Sequence, residues 1–340
     1  MNFLKKLFLF LVVAFVFSSC SEESSDGKKN IAVFIPGTTS GSPVYRMLAE
    51  GVQKACEETS LGTAVISEAG VNQAEWPAKL TALAASGEFD LIISANPSLP
   101  EMCHSISSSF PGQDFIILNG FLSGVENIAT VQYNQREQSY LAGYLAGLLS
   151  ASKDEKYSRG NNKIALIAAQ EYPDMNNILL PGYIEGAKAA NPQVECVFKV
   201  TGSWSDAGKA AEIASSLYRS GVDVILPICG GGNQGVLSSA KENGFFVVWF
   251  DDSGYDLAPG YVAGSAIMAQ DKLAYEETIK YLNGEIEFGT SRIVGCKEGF
   301  IDFDDKNPLF KDSVSEETYT KFMKELNRLR NGDFSLPVNN

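Results

Sequence analysis

Short, continuous apolar runs alternate along the chain with longer stretches in which apolar residues return every three or four positions. Asn30–Ile35, Thr63–Glu68, Phe89–Ala95, Phe115–Leu118 and Ile128–Gln132 are the runs of the first half. Helical patterns lie between them at Val44–Glu58, at Ala78–Ser86 behind Pro77, and near Pro100. Proline suits a first helical turn, where its missing N–H would have had no partner. Apolar runs without alternation read as strands buried on both faces, and repeated β-α-β order makes the sheet parallel.

The same alternation then starts again. Gln135–Ser150 is a long helix whose Ala142, Gly143, Ala146 and Gly147 give a small-residue face for close packing, and Ser152–Asn162 is a polar loop. Lys163–Ala168, Ile178–Ala190 and Val194–Val200 follow as strand, helix and strand. Within Thr201–Gly235, Ser205 or Asp206 caps a helix with Ala210, Ile213, Ala214 and Leu217 on one face. Gly221 ends that helix, Val222–Ile228 is a strand, and Gly230–Gly232 lead to another helix before the strand Phe245–Phe250.

The expected fold is therefore α/β, a clamshell of two doubly wound parallel-sheet lobes. Crossings between lobes are expected at Val131–Asn134, Phe250–Gly254 and around Ile293–Cys296. Lobe 1 would hold residues 30–132 with about 253–292, and lobe 2 residues 133–252 with about 293–330, leaving 331–340 as a tail. Several crossings describe a hinge that closes on ligand. Ligands of such sheets sit beyond the carboxyl ends of the strands, so Trp204, the glycine turn and Asp251 belong at a cleft.

The first residues change where this clamshell works. Lys5 and Lys6 precede the apolar Leu7–Phe17, which is short for a membrane span, and Phe17-Ser18-Ser19-Cys20 resembles a bacterial lipobox. Residues 1–19 read as a lipoprotein signal peptide, with Cys20 as the acylated residue and 20–29 as a polar tether. The body is expected outside the cytoplasm, held to a membrane by its lipid.

Charge and composition then narrow the chemistry. The formal net charge is −14, which argues against nucleic acid, whose phosphates call for basic patches. His104 is the sole histidine, so histidine triads and multi-histidine metal sites have no material. Apart from Cys20, the cysteines at 56, 103, 196, 229 and 296 form neither a paired framework nor a C-x-x-C motif, and buried thiols are expected. No phosphate loop or nucleophile–base set is present. Neither an enzyme nor a cofactor or metal is expected.

The lipobox with TVQYNQREQSYLAGYLAGLLS, PGYIEGAKAANP, the block from Trp204 to Gly235 and VVWFDDSG resembles the basic membrane protein and purine nucleoside receptor family. The resemblance spans Asn30–Arg330 and implies a type I periplasmic-binding-protein fold. It also implies a lipid-anchored, monomeric substrate-binding protein working with an ABC permease and ATPase. The family holds a flat base between aromatic rings and grips the sugar with acidic groups. Carried over by position, Trp204 stacks on the ligand, Gly231 lies in the glycine turn, and Asp251 meets the sugar.

The first-lobe loop departs from that family. PGTTSGSPVYR replaces an acidic loop and places Tyr45 near the stacking position, Asn119 stands where an aspartate is expected, and Met268 falls near the expected lysine. Asn presents a donor and an acceptor where Asp only accepts, which suits the pyrimidinedione edge of a flavin. Loss of a cation favours a neutral ligand. The resemblance thus implies riboflavin, with a purine nucleoside or a non-transporting sensor as the alternatives. Tyr45, Asn119, Asn134, Trp204, Asp206, Gly231 and Asp251 are the candidate ligand contacts, although Asp206 reads first as a helix cap and Asn134 is placed either to bind ligand or to cap the long helix.

Overall fold

The computed structural model describes residues 27–338; the expected signal segment, Cys20 and the start of the tether lie outside the described residues. The first lobe begins with β1 (Lys29–Ile35), α1 (Pro43–Thr59), β2 (Gly62–Glu68), α2 (Trp76–Ser86), β3 (Leu91–Ala95), α3 (Leu99–Ser107), β4 (Asp114–Leu118) and β5 (Ile128–Tyr133). There follow α4 (Gln135–Ala151), β6 (Lys163–Ala168), α5 (Leu180–Ala190), β7 (Glu195–Val200), α6 (Ala207–Arg219), β8 (Val224–Ile228), α7 (Asn233–Asn243), β9 (Phe246–Asp251) and β10 (Val262–Met268). The chain ends with α8 (Gln270–Leu282), β11 (Ser291–Val294), β12 (Ile301–Phe303), α9 (Pro308–Ser313) and α10 (Glu316–Asn331).

Among the described residues the strands form two sheets, in the orders β11-β5-β4-β3-β1-β2 and β12-β10-β9-β8-β6-β7. Every pairing is parallel except β10 with β12. The central strands are buried on both faces, as their unbroken apolar sequence requires: Ile31–Ile35 and Val224–Leu226 are fully shielded from solvent. β2 and β7 lie at sheet edges and are the more exposed strands.

The two lobes repeat one winding order, and that repeat moves a boundary. The sequence places a crossing at Phe250–Gly254 and assigns 253–292 to lobe 1. Instead Val262–Met268 pairs in parallel with β9, as the fifth parallel strand of the second sheet. The chain crosses only after it, between Met268 and Gln270, and α8 then packs on α1 of the first lobe. β10 gives a weak strand signal because its centre, Ala263–Ala266, is small or polar. A side chain at Gly264 would collide with Leu145 of α4 and Phe303 of β12.

The crossings are bonded to one another. After β5, the Asn134 N–H donates to the Val294 carbonyl at 2.7 Å, and the Glu137 carboxylate accepts the Cys296 N–H at 2.7 Å. The segment after α10 is not a loose tail. Leu336 is buried, its carbonyl accepts from Asn134 Nδ2 at 2.9 Å, and Phe334 meets the edge of Tyr140 at 5.7 Å.

Helix α4 lies against the second sheet and meets α5 through glycines on both helices. Gly143 and Gly147 face Tyr183 and Ala187, and Gly186 faces the Tyr140 carbonyl. A π-turn, Met175–Leu179, precedes α5 where Pro181 lacks the N–H that an α-turn would need. The expected helix start at Ile178 therefore falls inside this irregular turn.

Gly186→Ala should destabilise the protein by about 1–3 kcal/mol, because its methyl overpacks backbone that cannot move aside. Gly208→Ala, at an exposed α6 site with Asp206 Oδ1 at 3.5 Å as nearest neighbour, should instead be neutral or stabilising by up to about 1 kcal/mol. Urea unfolding of both variants checks the opposite signs.

Candidate binding cleft

Segments from the carboxyl ends of both sheets meet where Arg46 pairs with Asp252, and the candidate residues come from loops at those ends. On the first lobe Tyr45 occupies the first turn of α1. Its ring lies against Gly37, where an added Cβ would meet Tyr45 Cε2 at 2.9 Å, and its hydroxyl accepts from Asn96 Nδ2 at 3.0 Å. Burial pushes its phenol up to about 12, so it stays neutral at working pH. The polar loop before α1 is tied down by Thr39, whose N–H and hydroxyl both donate to Glu68.

Asn119 follows β4 with φ of 57°, a left-handed conformation that asparagine tolerates better than most residues. Its N–H is spent on the Val131 carbonyl at 2.8 Å, and among the described residues its carboxamide has no protein hydrogen-bond partner. A half-buried amide with both ends open is suited to reading a mixed donor–acceptor edge.

On the second lobe Trp204 is 39% exposed, an unusual state for the largest apolar side chain. Tyr172, in the loop after β6, lies beside it with ring centroids 6.3 Å apart and planes tilted by 43°. Burial raises the Tyr172 phenol, and the charges of Asp251 and Asp174 and Tyr45 of the opposite lobe raise it further. Tyr172 was not legible as a site residue. Its loop carries no motif, and only the fold brings it to Trp204. Gly230–Gly232 form a single turn against the Trp204 loop, with Gly232 N–H donating to the Trp204 carbonyl at 3.3 Å. At Gly231 the nearest protein atom to an added Cβ is 3.7 Å away, so the protein itself does not demand glycine there.

Asp251 ends β9 with φ of 77°. Its Oδ1 accepts from Gln138 Nε2 at 3.2 Å, and the same amide also donates to the Ala266 carbonyl. Burial pushes its carboxyl up to about 7; the Gln138 bond opposes this, and the neighbouring Asp252 charge adds to it. Gln138 satisfies Oδ1, which leaves Oδ2 for a further partner.

Two candidates are engaged within the protein. Asn134 accepts from the Glu137 N–H through Oδ1 and donates Nδ2 to Leu336, so both ends of its amide are used in the hinge. Asp206 is exposed and caps α6, accepting from the Lys209 N–H at 2.9 Å. Their polarity serves chain turns. Arg136 pairs with Glu185 of α5 within the second lobe. Met268, near the position of the expected lysine, is buried.

Two doubly wound parallel-sheet lobes joined by crossings have the periplasmic-binding-protein fold. Residues 28–339 match the Bmp family model, described as ABC transporter substrate-binding protein PnrA-like, and the chain belongs to that family. It is a substrate-binding component of an ABC transporter rather than an enzyme, and the family implies a small-molecule ligand with permease and ATPase partners. It is similar to basic membrane protein D of Borreliella burgdorferi, 27% identical over 98% of this chain and 95% of that protein. The ABC transporter nucleoside-binding protein BmpA of Lactococcus lactis is 29% identical over 45% of this chain and 41% of its own length. Among solved structures, an ABC transporter solute-binding protein from Aeropyrum pernix superposes with TM-score 0.78 at 19% identity, covering 92% of this chain and 94% of that one. A transcriptional activator of comK from Bacillus halodurans gives TM-score 0.70 at 22% identity, covering 89% and 98%. Among the described residues no helix is long and apolar enough to cross a membrane.

The raised Asp251 carboxyl sets a pH dependence. Unfolded, it ionises near about 4; folded, it holds its proton until about 7. The folded state thus binds the extra proton between these values, and stability falls as pH rises through that window. Asp251→Asn keeps an acceptor for Gln138 and should be more stable than the parent by about 1–3 kcal/mol at pH 8, with the gap closing below pH 5. Thermal unfolding across pH measures it. Separately, Gly37→Ala should displace the Tyr45 ring and weaken ligand binding at least about tenfold with the fold retained, a loss on the scale of one stacking contact; circular dichroism and ligand titration check both halves.

Proposed function

We propose that the protein captures riboflavin for an ABC importer, with Cys20 lipidated and the monomeric body outside the cytoplasm. The observation that carries the ligand reading is the exposed indole of Trp204 with Tyr172 as its neighbour. The ring centroids lie 6.3 Å apart with planes tilted by 43°, and Tyr45 of the first lobe is close enough to act on the Tyr172 phenol. The Trp204 face alone is wide enough to stack on a tricyclic ring. Offset aromatic contacts add about 0.5–1.5 kcal/mol each beyond burial.

The polar groups support the same reading. The open carboxamide of Asn119 suits the alternating N–H and C=O groups of a pyrimidinedione. Asp251, with Oδ2 left beside the Gln138 bond, suits the hydroxyls of a ribityl chain. Arg46, the nearby cation, is engaged by carboxylates at Glu50 and Asp252. A neutral ligand is therefore favoured over a phosphorylated one.

A purine nucleoside is the second reading, favoured by the name of the Lactococcus lactis relative, a nucleoside-binding protein. Both ligands carry hydroxyls for Asp251, and they differ in ring width and edge chemistry.

Riboflavin titrated into purified protein should lose fluorescence on binding, with micromolar or tighter affinity. Trp204→Ala should weaken this by about 1–3 kcal/mol with the fold intact. Inosine binding without any riboflavin quenching would replace the flavin by the nucleoside. An unchanged affinity in Trp204→Ala would reduce Trp204 to a structural residue.

A further inference from the structure

Arg46 and Asp252 form an ion pair across the mouth of the cleft, Nη2 to Oδ2 at 3.5 Å. Arg46 follows Tyr45 on α1 of the first lobe, and Asp252 follows Asp251 at the end of β9 in the second. The bridge therefore stands one residue along the chain from a cleft-lining side chain on each lobe.

Neither end of the bridge is loose. Arg46 Nη1 donates to both carboxylate oxygens of Glu50, at 3.2 Å each, and Glu50 lies one helical turn further on. This leaves Nη2 for the opposite lobe. Asp252 Oδ1 accepts from the Trp249 indole N–H at 2.7 Å, which leaves Oδ2 for Arg46. The Trp249 ring is itself buried and seated on Gly254, where any side chain would collide with it. The sequence W-F-D-D-S-G thus reads as a device. Trp249 fixes Asp252, Asp251 faces the cleft, and Gly254 makes room for the indole.

An ion pair within one lobe would add little to function, since half-exposed pairs are weak. A pair between lobes acts differently. It exists only when the lobes meet, so its whole free energy falls on the balance between open and closed forms. Ligand affinity scales with the closed population, and a modest bridge changes it directly.

We propose that Asp252 is a positioning residue for capture: fixed by Trp249 on the second lobe, it engages Arg46 and holds the lobes in the closed register that brings Tyr45 opposite Tyr172, Trp204 and Asp251. The inference rests on the reading of this cleft as the ligand site, but its effect on closure does not depend on which ligand binds. The Trp249–Asp252 bond separates this role from that of a solvated surface charge, because it orients one oxygen toward the partner lobe.

Small-angle X-ray scattering of the ligand-free protein measures the open-to-closed ratio without reference to any ligand. Arg46→Gln and Asp252→Asn should each move that ratio toward the open form by about two- to fivefold. The double variant should shift it no further than either single change, since both remove the same bridge. Arg46→Lys should retain most of the closed population. Salt at about 1 M, where screening acts within about 3 Å, should open the parent and leave the double variant unchanged. Circular dichroism and unchanged unfolding midpoints show that both single variants fold. An unaltered ratio in both of them, or additive shifts in the double variant, overturns the proposal. A parent that closes as described yet does not quench riboflavin overturns the flavin reading and leaves the bridge standing.

Discussion

Parallel strands send every loop from their carboxyl ends to one side of the sheet, and this protein uses that constraint twice. Five neighbouring parallel strands follow the same order in each lobe, β5-β4-β3-β1-β2 and β10-β9-β8-β6-β7, and the Arg46–Asp252 ion pair joins segments that leave the two carboxyl edges. Tyr45, Asn119, Tyr172, Trp204, the glycine turn and Asp251 all come from segments that leave those edges. The cleft is thus a consequence of topology before any side chain is considered. The chemistry comes afterwards, from what each loop carries.

Facing edges have functional value only if their spacing can change in a controlled way. Here the crossings are tied by backbone and side-chain hydrogen bonds, with Asn134 joined to Val294 and Leu336 and Glu137 joined to Cys296. Close helix packing through Gly143, Gly147 and Gly186 joins α4 to α5 within the second lobe. Rigid lobes on a bonded hinge allow a small free energy at the cleft mouth to set the balance between open and closed forms.

The alternation of strand and helix was legible because doubly covered strands must be continuously apolar, as Ile31–Ile35 and Val224–Ile228 are. β10 was not legible for the opposite physical reason. Its Gly264 is kept small by α4 and β12, and the polar Ser265 beside it breaks the apolar run. One missed strand displaced a lobe boundary. At the site, Trp204 and Asp251 stood out because each follows a strand. Tyr172 depends on a tertiary neighbour for its meaning, and no local pattern announces it. Asn134 and Asp206 were polar residues at turns, where capping and ligand contact have the same composition. Only their hydrogen bonds separate the two roles.

The first-lobe loop PGTTSGSPVYR carries no acidic residue, and Tyr172 lies beside Trp204 on the second lobe. Together these features motivate a ligand with a broad, neutral ring, a mixed hydrogen-bonding edge and hydroxyls for Asp251. Mass spectrometry of the small molecules released from protein purified without added ligand, from cells grown in rich medium, tests this most directly. The account predicts riboflavin released in a near-stoichiometric amount. Recovery of a purine nucleoside in its place, with no flavin, would contradict it.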